Sequence, residues 1–124
     1  MLDEQPENGE ALYLAALVHQ RLSEQDKALD FAKRATRELP HFGPAWAILA
    51  EVYKARSDFA SALKAALQAT ACDDRDPGLW MLLGDVQSAA GQKPAAMQSF
   101  RKAMDRKPPP MMKEMLEARL KEYK

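Results

Sequence analysis

One cysteine, Cys72, leaves the 124-residue chain without an internal disulfide, and so without the covalent framework that braces many small secreted domains. Histidine is nearly as scarce: His19 and His41 are the only two, and no ligand spacing joins them. Neither sign of charge is in excess. The 18 Lys and Arg balance 18 Asp and Glu, which removes the electrostatic footprint expected of a nucleic-acid or anionic-membrane binder. The same neutrality gives little protection against self-association. No apolar run has the length of a bilayer-spanning helix, so membrane insertion is not expected. The start, MLDEQPENGE, is acidic and polar, unlike the basic-then-apolar opening of a signal peptide. Cytoplasm is the expected location. A mature periplasmic fragment with its signal removed would read identically.

Catalytic constellations are missing as well. There is no glycine-rich phosphate loop and no Ser-His-Asp set. Asp73, Asp74 and Asp76 raise the question of calcium, but an EF-hand loop opening at Asp74 would need glycine at its sixth position, where Leu79 stands. A solvated loop with Asp76 as a helix N-cap accounts for the cluster. Cys72 is followed by two aspartates, which argues against a stabilised thiolate. The expectation is a protein that is not an enzyme and uses no cofactor or metal.

What the chain does have is a period. Ala28, Ala62 and Ala96 are spaced by 34, as are Ala35, Ala69 and Ala103. Pro6, Pro40, Asp74 and Pro108 keep the same spacing, with one proline replaced by Asp. Trp46 and Trp80 share it, and so do Leu49 and Leu83, and Ala50 and Gly84. A single helix pair cannot bury its apolar face, so repeats of this length must stack and share a core. The small residues (Ala50, Gly84, Ala62, Ala96) allow close helix approach, and the tryptophans fill the gaps. An ordinary helical bundle with chance spacing is the competing reading.

Trp46, Leu49, Ala50, Tyr53 and Ala62, together with Trp80, Leu83, Gly84, Ala96, Phe100, Ala103 and Pro108, resemble the tetratricopeptide repeat. A weaker first copy has Leu12, Ala15 and Ala16 in place of Trp, Leu and Gly, followed by Ala28, Ala35 and Pro40. The resemblance implies an all-α fold, a right-handed α-solenoid of antiparallel helix pairs. The expected division is a preceding repeat's tail or a disordered N-terminus at 1–8, repeats at 9–42, 43–76 and 77–110, and a C-terminal capping helix at 111–124. Ser23 with Asp26 reads as a capping box for the second helix. Asp58 and Asp76 read as N-caps, Gly91 as a left-handed helix end, and Pro44 and Pro94 as first-turn residues. In the last helix Met112, Met115, Leu116, Leu120 and Tyr123 share a face, and the mixed charges opposite favour a cap over a membrane-surface helix.

The resemblance also implies a function, that of a protein–protein interaction scaffold or adaptor holding a partner segment in a concave groove lined by the first helix of each pair. Carried onto this chain, the groove comprises Tyr13, Leu14, Leu17, Ala47, Ile48, Glu51, Lys54, Met81, Leu82 and Asp85. The carboxylate clamp by which some members hold acidic chaperone tails is absent, since Tyr13, Leu17, Ile48, Gly78 and Leu82 occupy its places. Chaperone C-terminal tails are therefore not the expected ligand. An apolar groove with an acidic edge at Glu51 and Asp85 suits an amphipathic or apolar protein segment. Two alternatives stand beside this: the stripe packs between helices, or the repeat ends or groove join copies into a homo-oligomer.

Overall fold

The computed structural model describes residues 8–122. Most of the 1–8 segment and Tyr123 therefore lie outside the described residues. Among those described, the chain forms seven α-helices and no strand: α1 (Gly9–Arg21), α2 (Gln25–Glu38), α3 (Gly43–Ala55), α4 (Phe59–Cys72), α5 (Pro77–Ala89), α6 (Lys93–Asp105) and α7 (Pro110–Lys121). Consecutive helices pair as α1/α2, α3/α4 and α5/α6, the second of one pair packs on the first of the next, and α7 closes the stack on α6. The result is an α-solenoid of helix pairs.

The period shows directly in what is buried. Ala28, Ala62 and Ala96 have no exposed surface, and neither do Ala35, Ala69 and Ala103. Facing positions are matched in volume. The first two pairs set alanine against alanine (Ala16 and Ala32, then Ala50 and Ala66, all fully buried). The third sets Gly84 against Phe100, where a Cβ on Gly84 would stand 2.5 Å from the ring. Phe100, 1% exposed, then forms a small cluster with Ala96, Ala103 and Leu116 of α7, so the last helix adheres through a side chain that the third repeat alone supplies.

The turns repeat too. Ser23, Ser57 and Gly91 each link the two helices of a pair, and all three have positive φ (62°, 63° and 84°). The turn geometry therefore demands a left-handed residue at this point in every repeat, although glycine meets the demand only once. At Ser23 this overturns the capping-box expectation. The cap of α2 is Glu24, no side chain bonds to its first turn, and a serine at φ 62° is not in the extended conformation an N-cap needs. Asp58 and Asp76 do cap, accepting from Ser61 N and Gly78 N respectively. Asn8 caps α1, accepting from Glu10 N and Ala11 N.

The Pro-to-Asp exchange at the 34-residue position is explained by the backbone. The Nε1–H of Trp46 donates to the Pro40 carbonyl at 2.9 Å, and that of Trp80 donates to the Asp74 carbonyl at 2.8 Å. A main-chain acceptor serves equally well whichever side chain it carries. The Asp74 carbonyl also accepts from Arg106 Nε at 2.8 Å, while the Asp73 carboxylate accepts from Arg75 N at 3.1 Å. The acidic loop is thus an organised helix connection.

Candidate peptide-binding groove

Three consecutive first helices, α1, α3 and α5, place Tyr13 and Leu17, then Ala47, then Met81 in partly buried positions resting on the core. Their spacing follows the repeat: Tyr13, Ala47 and Met81 are successive 34-residue equivalents. Each side chain is anchored by apolar packing below while part of its surface stays open. Tyr13 is further fixed by an edge-to-face contact with Phe42, with ring centroids 5.2 Å apart, which is a favourable aromatic geometry.

Three of the residues expected in the groove belong to a different line. Ile48 and Leu82 are 6% and 8% exposed and sit in the main core cluster. They are stacking residues, because the preceding helix pair covers them. Leu14 holds the equivalent position in the first pair, and with no described pair before it, it remains 56% exposed. One residue step along a helix turns a side chain by about 100°, enough to move it from the open face to the inter-repeat seam.

The polar residues are tied across helices. Gln20 Nε2 on α1 donates to Glu51 Oε1 on α3 at 2.6 Å. Arg119 on α7 grips Asp85 on α5 through two bonds, Nε to Oδ1 at 2.6 Å and Nη2 to Oδ2 at 3.2 Å. The guanidinium also lies 6.0 Å from the centroid of the Phe100 ring. The expected acidic edge is therefore only half ion-paired: Asp85 faces a guanidinium, and Glu51 accepts from a neutral amide. Lys54 is half-buried. Neither Gln20 nor Arg119 was among the expected groove residues. The period could have found both, since Arg119 stands 34 after Asp85 and Gln20 stands 34 before Lys54.

The titratable groups with perturbed behaviour lie elsewhere. A hydrogen bond from His19, at 2.6 Å, holds the Glu24 carboxyl below its ordinary pKa, and the imidazole stacks on Phe31 with ring planes 5° apart. Burial pushes the Cys72 thiol up, with Sγ 3.6 Å from the Pro40 carbonyl. Among the described residues no group of three His, Cys, Asp or Glu side chains could hold a metal ion. No described helix is long and apolar enough to cross a membrane. The site offers shape and apolar contact with a few polar fixtures.

Comparison with known proteins agrees with this architecture. The family model described as tetratricopeptide repeat matches residues 49–109. Protein bimA of Emericella nidulans is 35% identical over 85 residues, covering 68% of this chain and 10% of that protein. The chain thus spans about a tenth of the length of the curated relative it matches. The type III secretion translocator chaperone SycD of Yersinia enterocolitica, in a crystal structure described as an alternative dimer, superposes with a TM-score of 0.84 at 14% identity, over 94% of this chain and 92% of that one. The TPR domain of Sgt2 from Aspergillus fumigatus superposes with a TM-score of 0.82 at 20% identity, over 93% and 78%. At these identities the two structures bear on fold alone.

Proposed function

The chain belongs to the tetratricopeptide-repeat family, and from that premise we propose that it binds an apolar or amphipathic segment of a partner protein along the face shared by α1, α3 and α5. As a repeat scaffold for protein–protein interaction it supplies a preformed surface, so little conformational order has to be bought on binding. The observation that carries the reading is the row Tyr13, Leu17, Ala47 and Met81, anchored on the core yet partly open, with the tied acids Glu51 and Asp85 about one helical turn beyond Ala47 and Met81. An amphipathic helix presenting apolar residues at i, i+3 or i+4 and i+7 fits such a row. Met81 adds a side chain that adapts to differently shaped partners. Glu51, the remaining exposed acid of the face, favours a basic residue on the partner. No step of this function requires chemistry from the chain itself.

A displayed random-peptide library selected on the chain and counter-selected on a Leu17→Glu/Met81→Glu variant tests the proposal. Enriched peptides should carry apolar residues at helical spacing and bind the variant at least about tenfold more weakly, a loss of about 1.4 kcal/mol. Enrichment of acidic carboxy-terminal tails, or equal binding to the variant, would overturn it.

A further inference from the structure

The edge of the first helix pair carries a second apolar surface, separate from the groove. Leu14, Val18 and Leu22 are 56%, 53% and 61% exposed and stand one helical turn apart on α1 and its C-cap. The later equivalents of Leu14 and Val18 are core: Ile48 and Val52 are 6% and 2% exposed, and Leu82 and Val86 are 8% and 0%, whereas Arg56 and Ala90, the equivalents of Leu22, are not buried. Within this fold, that stripe is the surface by which one helix pair seats on another. Single exposed leucines need no explanation, but Leu14 and Val18 stand at positions buried in each later repeat, and with Leu22 one turn further on they form an apolar stripe left exposed among the described residues.

Its charges indicate which cover fits. Glu10 and Arg21 lie eleven residues apart, about three helical turns, and so flank the stripe on the same side, one at each end. Both are exposed, and neither is ion-paired with another described residue. In an antiparallel helix pair related by a two-fold axis, flanking residues on the same side of each helix face one another. Glu10 of one copy would then meet Arg21 of the other, twice, while Leu14 and Val18 of the two copies interdigitate between them and Leu22 stands just beyond each pair. The surface is complementary to itself, which is the requirement for an isologous dimer. The opposed helix dipoles align favourably in the same arrangement.

We propose that Leu14, Val18 and Leu22 form a self-association surface on which a second copy of this chain docks, α1 against α1 and antiparallel, with Glu10–Arg21 pairs closing each end. The proposal does not rest on the groove reading. It uses the opposite requirement, an edge that is covered rather than a face that stays open. The contact is small, so the dimer forms at high rather than low protein concentration.

Sedimentation equilibrium over a wide concentration range tests it. The chain should pass from 13.9 kDa to twice that mass. Val18→Lys, which brings two ammonium groups together near the axis, should abolish the dimer while leaving the helical circular dichroism and its melt unchanged. Glu10→Arg alone sets Arg against Arg and should raise the dissociation constant by about tenfold. Adding Arg21→Glu should restore it, an outcome that general stickiness of the stripe would not produce. A monomer at every concentration would overturn the proposal. So would a dimer indifferent to Val18→Lys, one in which the double reversal fails to rescue, or one lost instead in Leu17→Glu/Met81→Glu.

Discussion

Gly84 offers a sharp quantitative test of how the repeats are packed. An alanine there would put its methyl carbon 2.5, 2.6 and 2.9 Å from Cε1, Cδ1 and Cζ of Phe100. The ring is 1% exposed and clustered with Ala96, Ala103 and Leu116, so it has no free space to retreat into. Overpacking of this kind costs about 1–3 kcal/mol. Against it stands the gain from replacing glycine by alanine inside a helix, about 1 kcal/mol. Sterics should win, and Gly84→Ala should lower stability by up to about 2 kcal/mol. The sign should reverse once the ring is removed. In a Phe100→Ala background the third pair becomes alanine on alanine, as Ala50 and Ala66 already are in the second. There Gly84→Ala should stabilise by about 1 kcal/mol, although Phe100→Ala alone costs about 3–5 kcal/mol. Urea unfolding followed by circular dichroism on the four proteins of this cycle measures the coupling; Phe100→Leu can stand in if the alanine variant folds poorly. Equal effects of Gly84→Ala in both backgrounds, or stabilisation of the parent chain, would refute the steric argument.

Further outcomes follow from the turns, the cap and one carboxylate. Gly91, at φ 84° with open space where a Cβ would go, should lose about 1 kcal/mol on substitution by alanine, for conformational reasons alone. Ser57→Gly at the equivalent turn should gain about 0.5 kcal/mol, the relief being partly offset by a more flexible unfolded chain. Thermal unfolding checks both. Arg119→Ala should cost about 1 kcal/mol and speed amide exchange in α7 while α1 is unaffected. The Glu24 carboxyl should titrate below 4.5 by NMR, and His19→Gln should return it toward that value. Because its folded pKa is depressed, its stabilising contribution is present above the unfolded pKa and fades as pH falls through the folded one.

The fold was legible because its information is redundant. Ala28, Ala62 and Ala96 are each fully buried for the same reason, so three copies of one signal agreed in phase. Helix ends set by a side-chain acceptor, as at Asp58 and Asp76, were equally readable. The left-handed serines were not, because the signal for such a turn is normally glycine and only Gly91 supplies it. On the face shared by α1, α3 and α5, the resemblance pointed to Tyr13, Leu17 and Met81, which stay partly open, but could not separate Ile48 and Leu82 from them. Adjacent residues on an apolar helix differ only in direction, and burial by the preceding pair is a tertiary fact. Arg119 was overlooked because a charged residue in a terminal helix reads as solvated surface, whereas here it spans to Asp85.

The proposal that a partner lies along α1, α3 and α5 is tested most directly by amide and methyl NMR of the chain titrated with a library-selected peptide. Progressive shifts at Tyr13, Leu17, Ala47, Lys54 and Met81, with α2, α4 and α6 left in place, are the result expected. Shifts confined to those second helices, or to Leu14, Val18 and Leu22, would put the partner on another surface and contradict it.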